Sequence, residues 1–265
     1  MSKKLTVRVI VQARMGSSRL PGKIFANLQN HPVLDWVTSR LQRGLFVLKQ
    51  SASINPELWV ATTVHPRDDR TSRWCYEHGL RCFRGSEKDV LDRYVQASEG
   101  LDDEDVVVRA TADNPFYCPL RVADLIQTHL QKQPDYTFIR GLSYVVPEVM
   151  QVKTLRTLRE VALDAESREH VTPFLRTPGL HSFPNQFKTQ AMPSSWNHLR
   201  PEVRLTIDTA HDYILLSKIL SSISKQNNPH HFKTVSLETL YQAWDEMQAI
   251  RLQAAMRPLV PKHAA

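Results

Sequence analysis

Apolar runs and amphipathic stretches alternate along the first half of the chain, and this alternation predicts a repeated order of strand and helix. The apolar, β-branched runs predicted as strands are 5–12, 58–63, 80–84 and 105–111. The amphipathic stretches predicted as helices are 32–45, 67–78, 88–98 and 119–132. Alternation at this pitch predicts an α/β fold, in which helices flank a mostly parallel central sheet.

The ends of the predicted strands point to one place for a ligand. Ligands in open parallel sheets bind outside the carboxyl ends of the strands. We therefore expect the loops that follow Gln12, Thr63, Arg84 and Thr111 to open onto a single site.

The regular alternation ends after Gln133. The remaining predicted elements are two short strands within 136–149, a helix over 160–175, strands over 187–192 and 203–207, and helices over 212–224 and 237–256. The chain has no internal repeat, low-complexity tract or clear linker, so we expect one domain over 1–265, with 236–265 as a C-terminal helix and tail.

Composition excludes several classes of protein. No apolar run approaches the roughly 18 residues that span a bilayer, and the amino-terminal Met-Ser-Lys-Lys-Leu-Thr leads directly into the first strand. We therefore expect no signal peptide and a cytoplasmic protein without a membrane partner. Cys75, Cys82 and Cys118 have no paired or metal-binding spacing, which predicts free thiols.

The chain carries 34 Lys and Arg against 27 Asp and Glu, a net charge of +7. This balance fits a substrate that bears phosphate, although scattered surface charge explains it equally well. The basic residues are spread along the chain without interleaved aromatic residues, and no nucleic-acid-binding motif is present, so we expect no nucleic-acid partner.

Cations and hydroxyls are concentrated in the loop after the first strand, which reads Ala-Arg-Met-Gly-Ser-Ser-Arg-Leu-Pro-Gly-Lys over 13–23. It has neither the GxGxxG nor the GxxxxGK[ST] pattern. Arg14, Arg19 and Lys23 supply positive charge, and Ser17 and Ser18 supply hydroxyls, which together suit a triphosphate. By composition alone, a solvated basic loop is an equal alternative.

The order A-R-x-x-S-x-R-L-P-x-K resembles the signature loop of the CMP-sugar synthetases, above all the 3-deoxy-manno-octulosonate cytidylyltransferases, related acylneuraminate cytidylyltransferases and the spore-coat polysaccharide biosynthesis protein F group. The similarity covers residues 7 to about 220. Further matching segments are Val-Ala-Thr-Thr (60–63), Asp-Asp (68–69), Arg-Gly-Ser (84–86), Asp-Val-Leu-Asp-Arg (89–93) and Arg-Glu-His-Val-Thr-Pro (168–173).

The resemblance implies a Rossmann-like nucleotide-diphospho-sugar transferase fold with a small β-containing arm over about 134–200 for acceptor binding and dimerisation. Arg14 and Lys23 would hold and polarise the triphosphate of CTP. The nucleotide-binding residues implied are Ala13, Arg14, Ser17, Ser18, Arg19, Lys23, Asp92, Arg93 and Arg109. An intrahelical salt bridge is the alternative role for Asp92 and Arg93.

Two carboxylates are candidates for a metal. Asp113 follows the fourth predicted strand, where an Asp emerges at the ligand edge, and a helix cap or Asx-turn is the alternative. The resemblance implies that Asp113 and Asp208 bind Mg²⁺. Relatives read V-D-T-P-E-D-L where this chain has Ile-Asp-Thr-Ala-His-Asp-Tyr, so Ala210 and His211 depart from the pattern. We expect Asp212 to cap a helix.

The acceptor is less readable from the sequence. Resemblance places Arg168, Glu169 and His170 near it, and Arg140 and Arg204 are further candidates to hold an acceptor carboxylate. The acidic run 102–105 precedes its strand, so we expect solvated surface opposite the site.

Together these features predict an enzyme with Arg14, Lys23 and Asp113 as catalytic residues. It would use Mg²⁺ to transfer CMP from CTP to an acidic sugar or related acid, releasing pyrophosphate, and would form a homodimer as its relatives commonly do. A glycosyltransferase that uses a nucleotide-sugar, and a non-catalytic nucleotide-binding protein, are the alternatives.

Overall fold

The structure is a computed structural model and describes residues 4–51, 53–176, 189–190, 196, 198–226 and 234–256. Strands and helices alternate over the first half. The strands are β1 (Leu5–Gln12), β2 (Asn27–Leu28), β3 (His31–Pro32), β4 (Ile54–Thr63), β5 (Arg81–Gly85) and β6 (Val106–Thr111). The helices are α1 (Val33–Leu48), α2 (Asp69–Glu77), α3 (Val90–Ala97) and α4 (Pro119–Lys132), with 3₁₀ turns at Lys23–Phe25 and Pro66–Asp68.

A seven-stranded sheet of order β5-β4-β1-β6-β8-β7-β9 runs through the described part of the chain. The four strands β5, β4, β1 and β6 are parallel to one another. β8 (Glu148–Gln151) is antiparallel to β6 and to β7 (Tyr136–Thr137), which pairs with β9 (Thr189–Gln190). The predicted α/β fold, a mostly parallel sheet with a small β-containing arm, is confirmed.

Helices cover both faces of this sheet, as the apolar character of its strands requires. Val7, Val9 and Val11 of β1 belong to one apolar cluster with α1, α4, α8 (Ala210–Gln226) and α9 (Leu237–Met256). Ile10 points to the opposite face, where α3, α5 (Val152–Val161), α6 (Ala165–His170) and α7 (Pro173–Arg176) pack. The sheet edge is therefore the place left open for a ligand.

The prediction of one helix over 160–175 is wrong, because three helices share this stretch. Asp164 begins α6 by accepting a hydrogen bond from the Ser167 amide at 2.8 Å. Val171 ends α6 with φ at 68° and ψ at −53°, and its neighbours close a three-residue turn in which the Thr172 amide donates to the His170 carbonyl at 2.8 Å. Pro173 then begins α7, in keeping with the preference of proline for the first helical turn.

The predicted strand over 203–207 is also wrong. This segment crosses the end of β6 without pairing in the sheet, and the Ile207 amide donates to the Asp113 carbonyl at 2.9 Å. Its apolar residues are buried because they face the core beneath them. Of the predicted strand over 187–192, residues 189–190 lie in β9, and the others fall outside the described residues.

The acidic run 102–105 lies at the opposite end of the sheet from the ligand edge, as predicted, but it is not all solvated. The Asp105 carboxylate is buried and accepts hydrogen bonds from the amides of Thr6 at 2.8 Å and Asp102 at 2.9 Å. This carboxylate fixes the start of β1.

All three cysteines are free thiols, as predicted. Among the helices of the described ranges, none has the length and the apolar composition that crossing a membrane requires.

Candidate active site

The loops after β1, β4 and β6 meet at one edge of the sheet, as the strand order predicts. The Met15 amide donates to Asp68 Oδ1 at 2.7 Å, which joins the first loop to the second. Lys23 Nζ lies 2.9 Å from Asp113 Oδ2, which joins the first loop to the loop after β6. One site therefore receives residues from all three loops.

The Ala13–Lys23 loop has a fixed shape. The Gly22 amide closes it by donating to the Met15 carbonyl at 2.9 Å, and Gly22 has φ at 71°, a conformation that a residue with a Cβ adopts only with strain. Ser17 Oγ accepts from the Leu20 amide at 3.3 Å. Asp68, which supports the loop from below, is fully buried and also accepts a short hydrogen bond from the Thr63 hydroxyl. The loop is therefore held by the sheet edge.

Lys23 lies between the two predicted metal carboxylates. Its side chain is 13% exposed, and its ammonium contacts Asp113 Oδ2 at 2.9 Å, Asp208 Oδ1 at 3.3 Å and the Ile207 carbonyl at 2.7 Å. Three oxygen acceptors thus surround one cation. The predicted metal residues and the predicted catalytic lysine are brought together.

Asp208 reaches this position through the extended segment that crosses β6. Asp212 holds the next turn, because its carboxylate accepts from the amides of Asp208 at 3.0 Å and Thr209 at 2.8 Å at the start of α8. The predicted capping role of Asp212 is confirmed.

The pKa of Asp208 reflects two opposing effects. Burial acts to raise it, but the charges of Lys23, Arg204 and Arg19 outweigh burial and lower the pKa below its usual value. Arg204 lies 2.6 Å from Oδ2, and Arg19 lies 3.2 Å from Oδ1. Asp208 is therefore a carboxylate anion with three cationic side chains around it.

The donor set at Lys23 suits a divalent cation that is bound together with phosphate. Within the described ranges no cluster of three or more His, Cys, Asp or Glu side chains forms a metal cage of its own. Asp113 and Asp208 supply hard carboxylate oxygens on either side of a position that already attracts positive charge. Mg²⁺ typically takes one or two protein carboxylates and completes its shell with phosphate oxygens and water. The residues present fit that arrangement.

A cleft of about 810 Å³, here called the central cleft, opens beside these residues. It brings together five residues proposed from the sequence, Arg109, Asp113, His170, Arg204 and Asp208. The other residues that line it are Thr111, Asn114, Gly141, Ser143, Tyr144, Glu166, Pro173, Arg176, Pro201, Glu202, Val203 and Thr206. A second cavity of about 670 Å³, between α1, α4 and the start of α9, contains none of the predicted site residues.

Several buried polar atoms near the carboxyl edge have no hydrogen-bond partner among the described residues. They are Gln12 Oε1, Nε and Nη2 of Arg93, Arg109 Nε and Asn114 Oδ1. Buried polar groups without partners are uncommon in folded proteins, and a bound ligand is one explanation. Arg93 is fully buried, and burial is the main reason why its pKa is lowered. The atoms gathered here favour a polar ligand.

Arg14 and Glu169 connect the first loop to the arm. Arg14 Nη2 lies 3.4 Å from Glu169 Oε1 on α6, and both side chains are partly exposed. Arg14 is also close enough to Arg93 for its charge to contribute to the lowered pKa of that residue. These three predicted residues therefore lie on one side of the site.

Other predicted residues have structural partners. Asp92 contacts Arg159 of α5 at 3.6 Å, so the ion pair that the described residues give it joins two helices and is not the intrahelical salt bridge named as its alternative role. Arg168 Nη1 lies 3.1 Å from Asp89 Oδ2, and its Nη2 donates to the Arg159 carbonyl at 2.7 Å. Both pairs join α3 to the helices of the arm.

The remaining predicted residues differ in exposure. Arg140 is exposed and lines a smaller cavity of about 310 Å³ that shares Gly141, Ser143 and Arg176 with the central cleft. Ser18 is exposed on the first loop, and Ala13 is buried, its amide donating to the Ala61 carbonyl at 3.0 Å.

A buried carboxylate that the sequence analysis did not identify lies beside the central cleft. Glu148 of β8 contacts Arg109 Nη1 at 3.2 Å and forms a short ion pair with Arg176, and the Thr172 hydroxyl donates to it at 2.9 Å. An acidic residue inside the apolar run Tyr-Val-Val-Pro-Glu-Val-Met is the signal that could have revealed it.

Known proteins resemble this chain in sequence and in fold. The family described as Cytidylyltransferase matches residues 8–242. Spore coat polysaccharide biosynthesis protein SpsF of Bacillus subtilis is 35% identical over 206 residues, which cover 77% of this chain and 82% of that protein. A 3-deoxy-manno-octulosonate cytidylyltransferase of Psychrobacter is 27% identical over 163 residues, covering 57% of this chain and 54% of that protein. A solved cytidylyltransferase structure from Leptospira borgpetersenii has a TM-score of 0.67 at 25% identity, covering 98% of this chain and all of that one.

Proposed function

From the premise that the chain belongs to the cytidylyltransferase family, and so is a nucleotidyltransferase, we propose that it transfers CMP from CTP to a sugar acid and releases pyrophosphate. The observation that carries this proposal is the position of Lys23 between Asp113 and Asp208, at the end of a loop rich in cations. The relatives named 3-deoxy-manno-octulosonate cytidylyltransferase support an acidic sugar as the acceptor.

The proposed reaction forms one bond and breaks one. An acceptor oxygen attacks the α-phosphorus of CTP, its proton leaves to solvent or a nearby base, and the bond to the β-phosphate oxygen breaks with its electron pair on pyrophosphate. Such a displacement depends mainly on alignment and on neutralisation of charge. Arg14, Arg19 and Lys23 supply three cations from one loop, which suits the three phosphates of the donor.

Lys23 would bind a phosphate oxygen through its ammonium group. Its ammonium is held by three oxygens, so it is pre-oriented at the point where the loop meets Asp113. A phosphate oxygen would replace one of those acceptors and would meet a donor that needs little reorganisation. The unpartnered atoms of Arg93 and Asn114 would gain partners from the same nucleotide.

Asp113 and Asp208 would hold Mg²⁺ together with the phosphates. When bound, the metal supplies charge neutralisation on the phosphate oxygens and lowers the pKa of an oxygen that it contacts. The two aspartates and Lys23 would then form a network of alternating charge. Asp208 is suited to this role because its pKa lies below the usual value, so it remains ionised.

A pyrophosphate-release assay tests the proposal. The chain is offered CTP, UTP, ATP or GTP with a panel of sugar acids, with and without Mg²⁺. We expect release from CTP with an acid, and only with the divalent cation present. Firm binding of a sugar nucleotide, with no pyrophosphate release for any pairing, would favour the glycosyltransferase alternative.

Two variants sharpen the test. Lys23→Ala and Asp113→Ala are each expected to lower kcat about 10²- to 10³-fold, as loss of comparable electrostatic groups does. The matched control is Asp103→Ala, which removes an ion-paired carboxylate at the far end of the sheet. Wild-type turnover in either site variant would contradict the assigned roles, provided that circular dichroism shows the same fold.

A further inference from the structure

A built cluster that the proposed chemistry does not use lies beside the central cleft, and two of its members, Arg109 and Arg176, line the cleft. We call it the Glu148 cluster, and its members are Glu148, Arg109, Arg176, Thr172 and Tyr136. Glu148 lies directly opposite Arg109 in the antiparallel pair of β8 and β6. Arg176 closes the cluster from α7, where its Nε donates to the Tyr136 hydroxyl at 3.2 Å.

The charges of the Glu148 cluster do not balance. Two guanidinium groups surround one carboxylate, and the other members contribute neutral hydroxyls, so one positive charge is left over. Glu148 is 9% exposed and Arg109 12%, whereas Arg176 is 41% exposed and lines the central cleft. The surplus charge is therefore presented to the cleft by Arg176. Glu166 also lines the cleft, but it is exposed, and solvent weakens its field at the cluster.

A strained turn holds the cluster together. Val171 is a buried β-branched residue with φ at 68°, a conformation that such a residue adopts only with strain. The turn orients the Thr172 hydroxyl toward Glu148 and starts the helix that carries Arg176. Strain of this kind persists where surrounding contacts overdetermine the backbone, and it is common at ligand sites.

We infer that Arg176, supported by Arg109, binds the carboxylate of the sugar-acid acceptor, and that Glu148 is a positioning residue that orients both guanidinium groups. This inference rests on the proposed function and adds the residue that recognises the acid. Of the arginines proposed from the sequence, Arg168 pairs with Asp89 and does not line the central cleft, and Arg204 pairs with Asp208, which the proposed function assigns to the metal. A guanidinium suits this task because its planar fork matches a carboxylate.

The test compares each acid with its own methyl ester, which lacks the negative charge. The probes are 3-deoxy-manno-octulosonate and N-acetylneuraminate, assayed by pyrophosphate release at saturating CTP. We expect the wild-type chain to prefer the acid over the ester. Arg176→Gln should raise KM for the acid roughly 10- to 100-fold, as loss of a hydrogen-bonded charge does, while KM for CTP and KM for the ester stay within about twofold.

Two further variants separate recognition from folding. Glu148→Gln should raise KM for the acid without moving KM for CTP, which a merely structural defect would not achieve. Arg156→Gln is the matched control, because this arginine is also ion-paired and 42% exposed, but lies beside Asp103 at the far end of the sheet. It should leave every kinetic constant unchanged.

Several outcomes would overturn the inference. One is an equal rise of KM for CTP and for the acid in Arg176→Gln, and another is an undiminished preference for acid over ester in that variant. If the wild-type chain shows no turnover, ligand-observed NMR with the two acids and their two methyl esters tests whether the subsite exists. If the wild-type chain binds an acid more tightly than its ester, and Arg176→Gln loses this preference, the subsite is supported and only the proposed reaction is rejected. Equal binding of acid and ester, or no binding, would reject the subsite.

Discussion

The two sides of the candidate site, the Ala13–Lys23 loop and the Glu148 cluster beside the central cleft, are built differently. On one side, the Ala13–Lys23 loop carries three cations within eleven consecutive residues and is anchored to the parallel sheet by Asp68. On the other side, the Glu148 cluster collects its members from β6, β7, β8 and the stretch around α7, which are far apart in the chain. The proposed phosphate site therefore comes from one continuous loop, whereas the proposed acid site combines side chains from several elements.

The supports of the two sides also differ. The loop rests on hydrogen bonds to neighbouring strand ends, and its glycine at position 22 adopts a conformation that glycine tolerates without strain. The Glu148 cluster rests on a strained valine and a buried carboxylate. We therefore expect a change beneath the loop to affect use of the nucleotide, and a change within the cluster to affect use of the acceptor.

The largest effect is expected beneath the loop. Asp68→Ala removes the acceptor of the Met15 amide and leaves the Thr63 hydroxyl without its partner. We expect kcat/KM for CTP to fall about 10²- to 10³-fold, which corresponds to roughly 3–4 kcal/mol of transition-state stabilisation. Asp69→Ala is the control, since that neighbouring carboxylate is 58% exposed and pairs with Arg84. A comparable loss in both variants, measured by initial rates, would refute the special role of Asp68.

The loop side of the site could be predicted from sequence because its information is local. The buried strands alternate with amphipathic helices, so the strand ends and the loops after them follow from periodicity. The order of cations and hydroxyls between Ala13 and Lys23 then predicts that this loop binds phosphate, which stays a prediction. Lys23, Asp113 and Asp208 do meet, although the position of Asp208 was derived from a strand that does not exist.

The second half of the chain could not be predicted in the same way, because its structure depends on contacts that no local pattern records. Residues 203–207 are as apolar as a strand, but they cross the end of β6 instead of pairing with it. Pro173 does signal a helix boundary, but the positive φ at Val171 has no sequence signal, since a β-branched residue is among the least suited to it. Glu148 was missed because its two arginines come from β6 and α7.

The second prediction concerns the contact between α4 and β7, at the start of the arm. His129 of α4 is buried, and its Nδ1 lies 2.8 Å from the Thr137 hydroxyl of β7. Burial lowers the pKa of His129 to about 4, against an opposing contribution from Asp135. Between its ordinary value of about 6.5 and 4, the unfolded chain binds a proton that the folded chain does not. The free energy of unfolding should therefore fall as the pH decreases through this window, by up to about 3 kcal/mol.

Urea unfolding of the wild-type chain and His129→Gln, at intervals from pH 7 to pH 4, measures this contribution. The variant should lose less stability across the window than the wild-type chain, whatever its stability at pH 7. His65→Gln serves as the control, because His65 is exposed. If the free energy of unfolding falls equally with pH in the wild-type chain and in His129→Gln, His129 does not contribute to this pH dependence.

The smallest effect is expected within the Glu148 cluster. Thr172→Val preserves the shape of the side chain and removes one hydroxyl hydrogen bond to the Glu148 carboxylate, which keeps its two arginine partners. We expect a loss of about 1.5 kcal/mol in the free energy of unfolding, as for a hydrogen bond to a charged group, and a rise of a few-fold in KM for the acid. Thr157→Val, at a partly exposed threonine of α5, provides the baseline. A change in KM for CTP that matches the change for the acid would contradict the division between the two sides, because the hydrogen-bond partners that the described structure gives Thr172 lie in the Glu148 cluster and around α7.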